Sequence, residues 1–427
     1  MAGALVILGM IALVAINVPI AVAIGAVGVA GIVLSLGTDG LADVALTLYR
    51  GSTSFPLLAV PLFVLAGALM NTGGISQRLV NLLSAMIGFV RGGLAIVNVG
   101  VNMFFAEISG SAVADVAAVG SVLIPSMKRR GYRKEFAAAI TSSAGSLAII
   151  IPPSIPMILY ATIADASVVK LFVAGVVPGV LGGFGMMALC YRYAVRHGLP
   201  REQAFSVRRL VDAFRQAGWA LLLPVIILGG IFGGIVTATE GAALAVMAAL
   251  FVSGVIYRDL NARQLYRAVI DGVLQTATVL LLVATSAVLG LYLTRIQLPQ
   301  ELASAITHLT HEKWLVLLLL NFFLLVLGMF LHSAAAIILV VPIVLPLVKA
   351  VGVDLVHFGI IVTLNLAIGQ QTPPVASVLA TACSIAKTDM WNTTKVNLPY
   401  IGVLLAVLVL VTYVPVVALG LVHWLYR

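Results

Sequence analysis

Apolar positions in this chain do not alternate with polar ones; they run on. Apolar stretches occupy roughly residues 20–36, 55–70, 93–125, 136–163, 168–191, 219–235, 241–257, 273–293, 313–348, 357–386 and 398–426. A helix needs about 20 such residues to cross a bilayer. The pattern therefore predicts a bundle of membrane-crossing helices. Met1 to Ile16 is another apolar stretch with no basic run before it, expected to be a first membrane segment and not a cleaved signal.

One stretch has the wrong length for a crossing. Each half of 93–125 is about 15 residues, roughly 22 Å of helix against a hydrocarbon core of about 30 Å. In its middle stand Ser109-Gly110-Ser111, a small polar break. A re-entrant hairpin fits, and 313–348 is expected to be a second. Backbone at such a tip must face protein or a water-filled cavity, not lipid.

Composition and charge sharpen this picture. Of the 427 residues 62% are hydrophobic and 9% charged, where a soluble domain has roughly 25% charged. A soluble core, a disordered chain, a nucleic-acid binder and a disulfide scaffold are all excluded. The net charge of +9 belongs to a few loops: Lys128 to Lys134, Arg192 to Arg215, and Arg258 to Arg267. The positive-inside rule puts all three in the cytoplasm, and the loops at Asp39, Asp43 and Asp165 outside. Cys190 and Cys383 lie in apolar segments and read as buried small hydrophobes.

The two halves resemble each other at an offset of 221 residues. Ile124-Pro125, Gly131 and Pro152-Pro153 recur as Leu345-Pro346, Gly352 and Pro373-Pro374. The same offset sets Ser111 against His332 and Pro19 against Glu240. With a two-residue indel, Asn71-Thr72 and Ser76 face Thr294-Arg295 and Pro299. About five crossings per half invert the second half relative to the first, and the weakly charged loop after 313–348 agrees. The division is a first repeat over 1–191, a cytoplasmic linker helix over 192–217 and a second repeat over 218–427. Inverted repeats with Gly/Pro-interrupted segments in matching positions mark a secondary transporter.

Each half holds two interruptions, the hairpin tip and the double proline. Proline inside a helix removes a donor and frees a carbonyl upstream. Freed carbonyls and hydroxyls suit a hard cation such as sodium, while half-helix N-termini suit a carboxylate. The plainer reading of each double proline is a packing kink, but two in register favour sites. Ionisable residues within the apolar stretches are few. Asp115, one turn beyond Ser111, either staples the hairpin or contacts an ion. Glu107 reads as structural and Glu240 as a helix cap. Arg295 either snorkels to the interface or pairs with a substrate carboxylate. His332, at the second tip, is a substrate contact, a titratable switch or a packed neutral ring. No P-loop, His-Glu-x-x-His or Gly-x-Ser-x-Gly pattern occurs, so an enzyme fits poorly.

Several of these stretches resemble one family over essentially the whole chain. In the first half they are Ser54-Phe55-Pro56-Leu57-Leu58-Ala59-Val60-Pro61, Ile108-Ser109-Gly110-Ser111-Ala112-Val113-Ala114-Asp115, Ile124-Pro125-Ser126-Met127-Lys128-Arg129-Arg130-Gly131-Tyr132 and Ile151-Pro152-Pro153-Ser154-Ile155-Pro156. In the second half they are Thr239-Glu240-Gly241-Ala242, Gly328-Met329-Phe330 and Thr372-Pro373-Pro374. The chain is similar to the large, DctM-like membrane subunit of tripartite ATP-independent periplasmic (TRAP) transporters. The resemblance implies an all-α polytopic protein of the bacterial inner membrane, with inverted repeats, two re-entrant hairpins and a transport domain sliding elevator-fashion against a scaffold. It implies sodium-driven uptake of an organic acid (a dicarboxylate, sialic acid or related carboxylate). A periplasmic binding protein would deliver the acid, and a small four-helix membrane subunit would associate with the chain.

By position in these motifs, Ser111, Ser154, Arg295 and His332 would face the substrate. Ser109, Gly110, Pro152, Gly328, Ser333, Gly369 and Thr372 would surround sodium, with Asp115 in a structural or coupling role. The chain departs from the family in having His332 where an acidic residue is frequent, Gln370-Gln371 where one residue tends to be apolar, and Ala376 where glycine is usual. The alternative is a stand-alone sodium–dicarboxylate symporter of the same broad architecture.

Overall fold

The computed structural model describes residues 9, 12, 13, 16, 18–199, 204–310 and 312–426, and side chains among them except at 108, 109, 302 and 307–309. The N-terminal segment expected to be the first crossing lies, but for four residues, outside this range. Among the described residues every regular element is helical. Nine helical stretches among the described residues are long and apolar enough to cross a membrane.

The first half contains α1 (Ile20–Leu36), α2 (Leu41–Ser52), α3 (Ala59–Thr72), α4 (Ile75–Ile87), α5 (Gly93–Ser109), α6 (Ala112–Arg129), α7 (Lys134–Gly145), α8 (Ile155–Ala164) and α9 (Val168–Arg196). The second contains α10 (Val207–Phe232), α11 (Ala238–Phe251), α12 (Ala262–Arg295), α13 (Leu298–Leu309), α14 (Lys313–Phe330), α15 (Ser333–Ala350), α16 (Leu355–Gly369), α17 (Ser377–Ala386), α18 (Met390–Tyr413) and α19 (Val416–Leu425).

The repeat read from proline spacing governs the helix boundaries. Ser109 and Phe330 end α5 and α14, Ala112 and Ser333 begin α6 and α15, and Lys134 and Leu355 begin α7 and α16, each pair 221 residues apart. Gly131 and Gly352, at the same offset, both adopt left-handed backbone. Where the second half has one long helix, α12, the first has α2 and α3 split at Ser54-Phe55-Pro56. Pro56 lacks the N–H that a continuous helix would need.

The halves interlock reciprocally. α1 packs on α12, and its counterpart α11 packs on α3; α8 packs on α15, and its counterpart α17 packs on α6. Such exchange of equivalent contacts is the mark of two-fold pseudosymmetry. Gly28 lets α1 lie against the backbone of α12, since a β-carbon there would stand 2.9 Å from the Leu289 nitrogen. Small residues at such a seam permit the close helix approach that drives association in lipid.

The broken helices form the centre. Residues 136–145 of α7 and nearly all of α16 are buried. Phe184, Trp219, Val225, Leu274, Phe322 and Trp391 stand exposed on outer helices, as expected where the surrounding solvent is hydrocarbon. The hairpins run past their apolar stretches, the first by a turn to Arg129 and the second by two residues to Ala350, because Pro125 and Pro346 sit inside α6 and α15 without ending them.

One expectation is corrected. Residues 192–217 do not form a separate linker helix: α9 runs on to Arg196, and α10 starts at Val207 and continues to Phe232. Gly218, expected to begin the next unit, costs a helix only about 1 kcal/mol and does not interrupt it. Arg192 and Arg196 lie in the last two turns of α9, and Arg208, Arg209 and Arg215 in the first three turns of α10.

Candidate functional site

The first tip is a two-residue turn. Gly110 adopts left-handed backbone (φ 60°) at the end of α5, and Ser111 is extended before α6. The Gly110 carbonyl accepts the Ile155 N–H at 3.4 Å. A β-carbon on Gly110 would lie 2.9 Å from both Ile155 N and Pro153 O. The backbone angle and the close approach both require glycine. Opposite it, α7 ends in a 3₁₀ turn over Ser146–Ile149, followed by the cis Pro152-Pro153 bond and Ser154, the N-cap of α8. Ser154 is fully buried, and its Oγ donates to the Ile149 carbonyl at 2.8 Å.

The second tip is built differently. Leu331 and His332 are extended, and the Met329 carbonyl accepts the Val375 and Ala376 N–H groups at 3.2 and 3.4 Å. Gly328 and Gly369 meet directly there. The break after α16 holds Gln370, Gln371, Thr372 and a second cis bond, Pro373-Pro374. Thr372 N–H donates to the Gly369 carbonyl at 2.9 Å, and its Oγ1 donates to Ile368 O at 3.0 Å. Each hairpin tip is thus seated on the broken helix of its own half.

The two breaks are then tied together across the pseudosymmetry. Gln371 Nε2 donates to Ser146 Oγ at 2.6 Å. Ser143 Oγ lies 2.5 Å from Gln371 Oε1 and 2.6 Å from Asn397 Oδ1 on α18, and its single proton serves one of them at a time. All four side chains are fully buried. A polar staple also binds each hairpin to its broken helix: Asn98 donates to Thr141 at 2.7 Å, and Asn365 donates to Asn321 at 2.6 Å.

The electrostatic consequence follows from the helix ends. At the tips and breaks α6, α8, α15 and α17 begin, and α5, α7, α14 and α16 end. Helix starts present N–H groups and partial positive charge, and helix ends present carbonyls and partial negative charge. The same region therefore offers donors for an oxyanion and acceptors for a cation. Among the described residues no group of three or more His, Cys, Asp or Glu is placed to hold a metal ion. The available donors are carbonyl, hydroxyl and amide oxygens, the set a hard cation takes.

The expected site residues fall as follows. Gly110, Ser111, Pro152 and Ser154 meet at the first tip, and Gly328, His332, Ser333, Gly369 and Thr372 lie around the second. The Ser109 side chain lies outside the described residues. Asp115 is buried in the first turn of α6, its N–H bonded to Ser111 O at 2.9 Å. His332 caps α15, Nδ1 accepting Ala334 N–H at 3.4 Å. Arg295 ends α12, and its guanidinium pairs with Asp43 at 2.5 Å, both partly exposed. Glu240 forms the expected cap, a reciprocal box with Thr237. Cys190 and Cys383 are both free and buried. Sequence reasoning missed Ser143, Ser146, Asn397 and the two staples. Asn98, Asn321 and Asn365 inside apolar helices were the available signal, since a buried amide needs a partner.

Two hairpins seated on two broken helices, in a helical bundle with pseudo-two-fold packing, define a membrane transporter of the secondary type. Residues 7–417 match the family described as the tripartite ATP-independent periplasmic transporter, DctM component, and the chain belongs to that family. It is 40% identical over 92% of its length to the C4-dicarboxylate TRAP transporter large permease protein DctM of Pseudomonas aeruginosa, of which it covers 92%. It is 43% identical over 94% of its length to the isethionate TRAP transporter permease protein DctMQ of Oleidesulfovibrio alaskensis, and spans 63% of that protein. It is 36% identical over 85% of its length to the sialic acid TRAP transporter permease protein SiaT of Haemophilus influenzae, spanning 59% of it. Among solved structures, the Alcanivorax borkumensis YdaH transporter, described as having an unusual topology, superimposes with a TM-score of 0.65 at 17% identity, over 88% of this chain and 89% of that one. This last likeness is one of fold. The chain is thus a multi-pass TRAP permease of the bacterial inner membrane.

Proposed function

We propose that this chain imports an organic acid by coupling it to sodium entry, receiving the acid from a periplasmic binding protein and working with a small four-helix membrane subunit. The observation that carries the reading is the Gln371–Ser146 bridge. It joins two breaks whose helix starts suit a carboxylate and whose carbonyl-bearing ends suit sodium. The relatives named for C4-dicarboxylate, isethionate and sialic acid support an organic anion as cargo.

In this reading Ser111, Ser154, His332 and Arg295 contact the acid. Sodium sits among Ser109, Gly110 and Pro152 at the first tip, and among Gly328, Ser333, Gly369 and Thr372 at the second. Asp115 holds the first turn of α6 in place. The hairpins and broken helices, bound by the Asn98–Thr141, Asn321–Asn365 and Gln371 contacts, move as one body in an elevator step. The interlocked α1, α3, α11 and α12 form the scaffold, and the halves are related by an axis in the membrane plane, a reading supported by the strongly basic loop after the first hairpin and the weakly charged one after the second.

The test is uptake of succinate, isethionate and sialic acid into liposomes holding this chain, its small subunit and its binding protein. Saturable uptake of one acid that collapses when potassium replaces external sodium is expected. Equal uptake in both salts would refute sodium coupling. Full uptake without the binding protein and small subunit would favour a stand-alone symporter.

A further inference from the structure

Gln370 follows α16 as its C-cap and carries an amide that is only half used. The residue is 1% exposed. Its Oε1 accepts the Ser377 hydroxyl at 3.1 Å, and its Nε2 is buried without a hydrogen-bond partner. The neighbouring Gln371 differs: its Nε2 donates to Ser146, and its Oε1 faces Ser143 and the Asn397 amide. A buried donor left unpaired is costly, so the idle end of Gln370 needs a reason.

The bond to Ser377 brings that amide to the first residue of α17. Around it the Val375 and Ala376 N–H groups go to the Met329 carbonyl of the second tip, and the Val378 N–H goes to the Gln370 carbonyl at 3.2 Å. Among the described residues the N–H groups of Ser377 and Leu379 have no backbone acceptor. Two main-chain donors, the two hydrogens of Nε2 and the partial positive charge of a helix start thus converge.

The first half shows that the fold does not need this amide. At the 221-residue offset Gln370 is matched by Ile149, and Ser377 by Pro156. The Ile149 side chain has nothing to donate, and Pro156 has neither an N–H nor a hydroxyl. Both breaks carry the double proline and both seat a hairpin tip, yet only the second adds a buried side-chain donor at its helix start.

We infer that Gln370 is a cargo-binding residue that sets selectivity: its Nε2, with the N–H groups of Ser377 and Leu379, receives one oxyanion end of the acid, a carboxylate or a sulfonate. The inference rests on the transporter reading above. The loop that holds the amide also seats the second tip through Met329, so the cargo reaches it as that tip lifts. With no equivalent donor in the first half, the two ends of the cargo are held unequally. Cargo lacking an acceptor at this end leaves the amide unpaired, which is how a buried polar site discriminates.

Gln370→Leu and Gln370→Glu are made in the full chain and purified with its small subunit. Uptake with the binding protein first identifies which of succinate, isethionate and sialic acid the wild-type complex carries. The rise in melting temperature that this acid causes in the presence of sodium is then titrated. We expect Gln370→Leu to raise the half-effective acid concentration about tenfold, the loss of a hydrogen bond to a charged group. Gln370→Glu keeps an acceptor for Ser377 but meets the anion with a carboxylate, and raises it at least as much. Half-effective sodium is unchanged in both. An acid titration that Gln370→Leu leaves unmoved overturns the assignment and leaves the transporter reading intact. A shift confined to sodium makes the amide a cation ligand and also overturns it. So does collapse of both variants without acid, which marks a purely structural amide. Failure of the wild-type complex to take up any of the three acids overturns both readings.

Discussion

Gly369 and Gly328 touch through their backbones: a β-carbon on Gly369 would stand 2.5 Å from both the Cα and the carbonyl carbon of Gly328. Neither backbone can yield without displacing the hairpin tip from the broken helix beneath it. A β-carbon on Gly328 would reach no closer than 3.1 Å, and one on Gly402, on α18, meets nothing within 4 Å. Gly369→Ala is therefore expected to destabilise the protein by about 1–3 kcal/mol through overpacking and to abolish uptake. Gly328→Ala should lose less, and Gly402→Ala should be neutral. Melting temperature in detergent, measured beside uptake, checks the order; equal behaviour of the three would refute the crossing.

Gln371 holds the two breaks together. Gln371→Leu keeps much of the volume but takes the acceptor from the Asn397 amide and the donor from Ser146 at a fully buried position, while Ser143 keeps Asn397. The expected cost is about 1–3 kcal/mol, with a larger loss of transport rate than of affinity, since the halves of the moving body are uncoupled. A double-mutant cycle with Ser146→Ala measures the coupling. Additive effects would show that the bridge contributes nothing.

Arg295 and Asp43 form a partly exposed ion pair, a kind worth at most about 1 kcal/mol. Arg295→Ala should therefore fold normally. It is expected to abolish uptake because the substrate carboxylate loses its cation, while Asp43→Asn should retain uptake and frees the guanidinium. If both variants transport near-normally, the arginine is an interfacial anchor. If Asp43→Asn fails as completely as Arg295→Ala, the pair itself is what matters.

Thr372 directs its hydroxyl to the Ile368 carbonyl and its N–H to Gly369. Thr372→Val keeps the shape and removes one oxygen. If that oxygen serves sodium, the concentration of sodium for half-maximal uptake should rise several-fold, with maximal uptake at saturating sodium largely kept. An unchanged sodium curve would count against a ligand there.

Sequence alone determined where the helices run and where they break. Runs of apolar residues can be satisfied only in lipid, and the double prolines and the Gly-Ser turn inside them break the helices where single prolines do not, so the hairpins, the broken helices and the 221-residue repeat follow from local chemistry. The Glu240 cap was legible for the same reason, since its partner Thr237 is three residues away. Partnerships across the chain were not. Nothing near Gln371 announces Ser146, 225 residues earlier, and Arg295 carries no mark of Asp43, 252 residues away. Gly328 and Gly369 look like any other helix glycines until two helices cross there. The linker was misread because its Arg-rich stretch differs in composition from the apolar run that follows, while nothing between them ends a helix, and α10 runs through both. Such contacts depend on how the halves pack onto one another, and only the tertiary structure decided that.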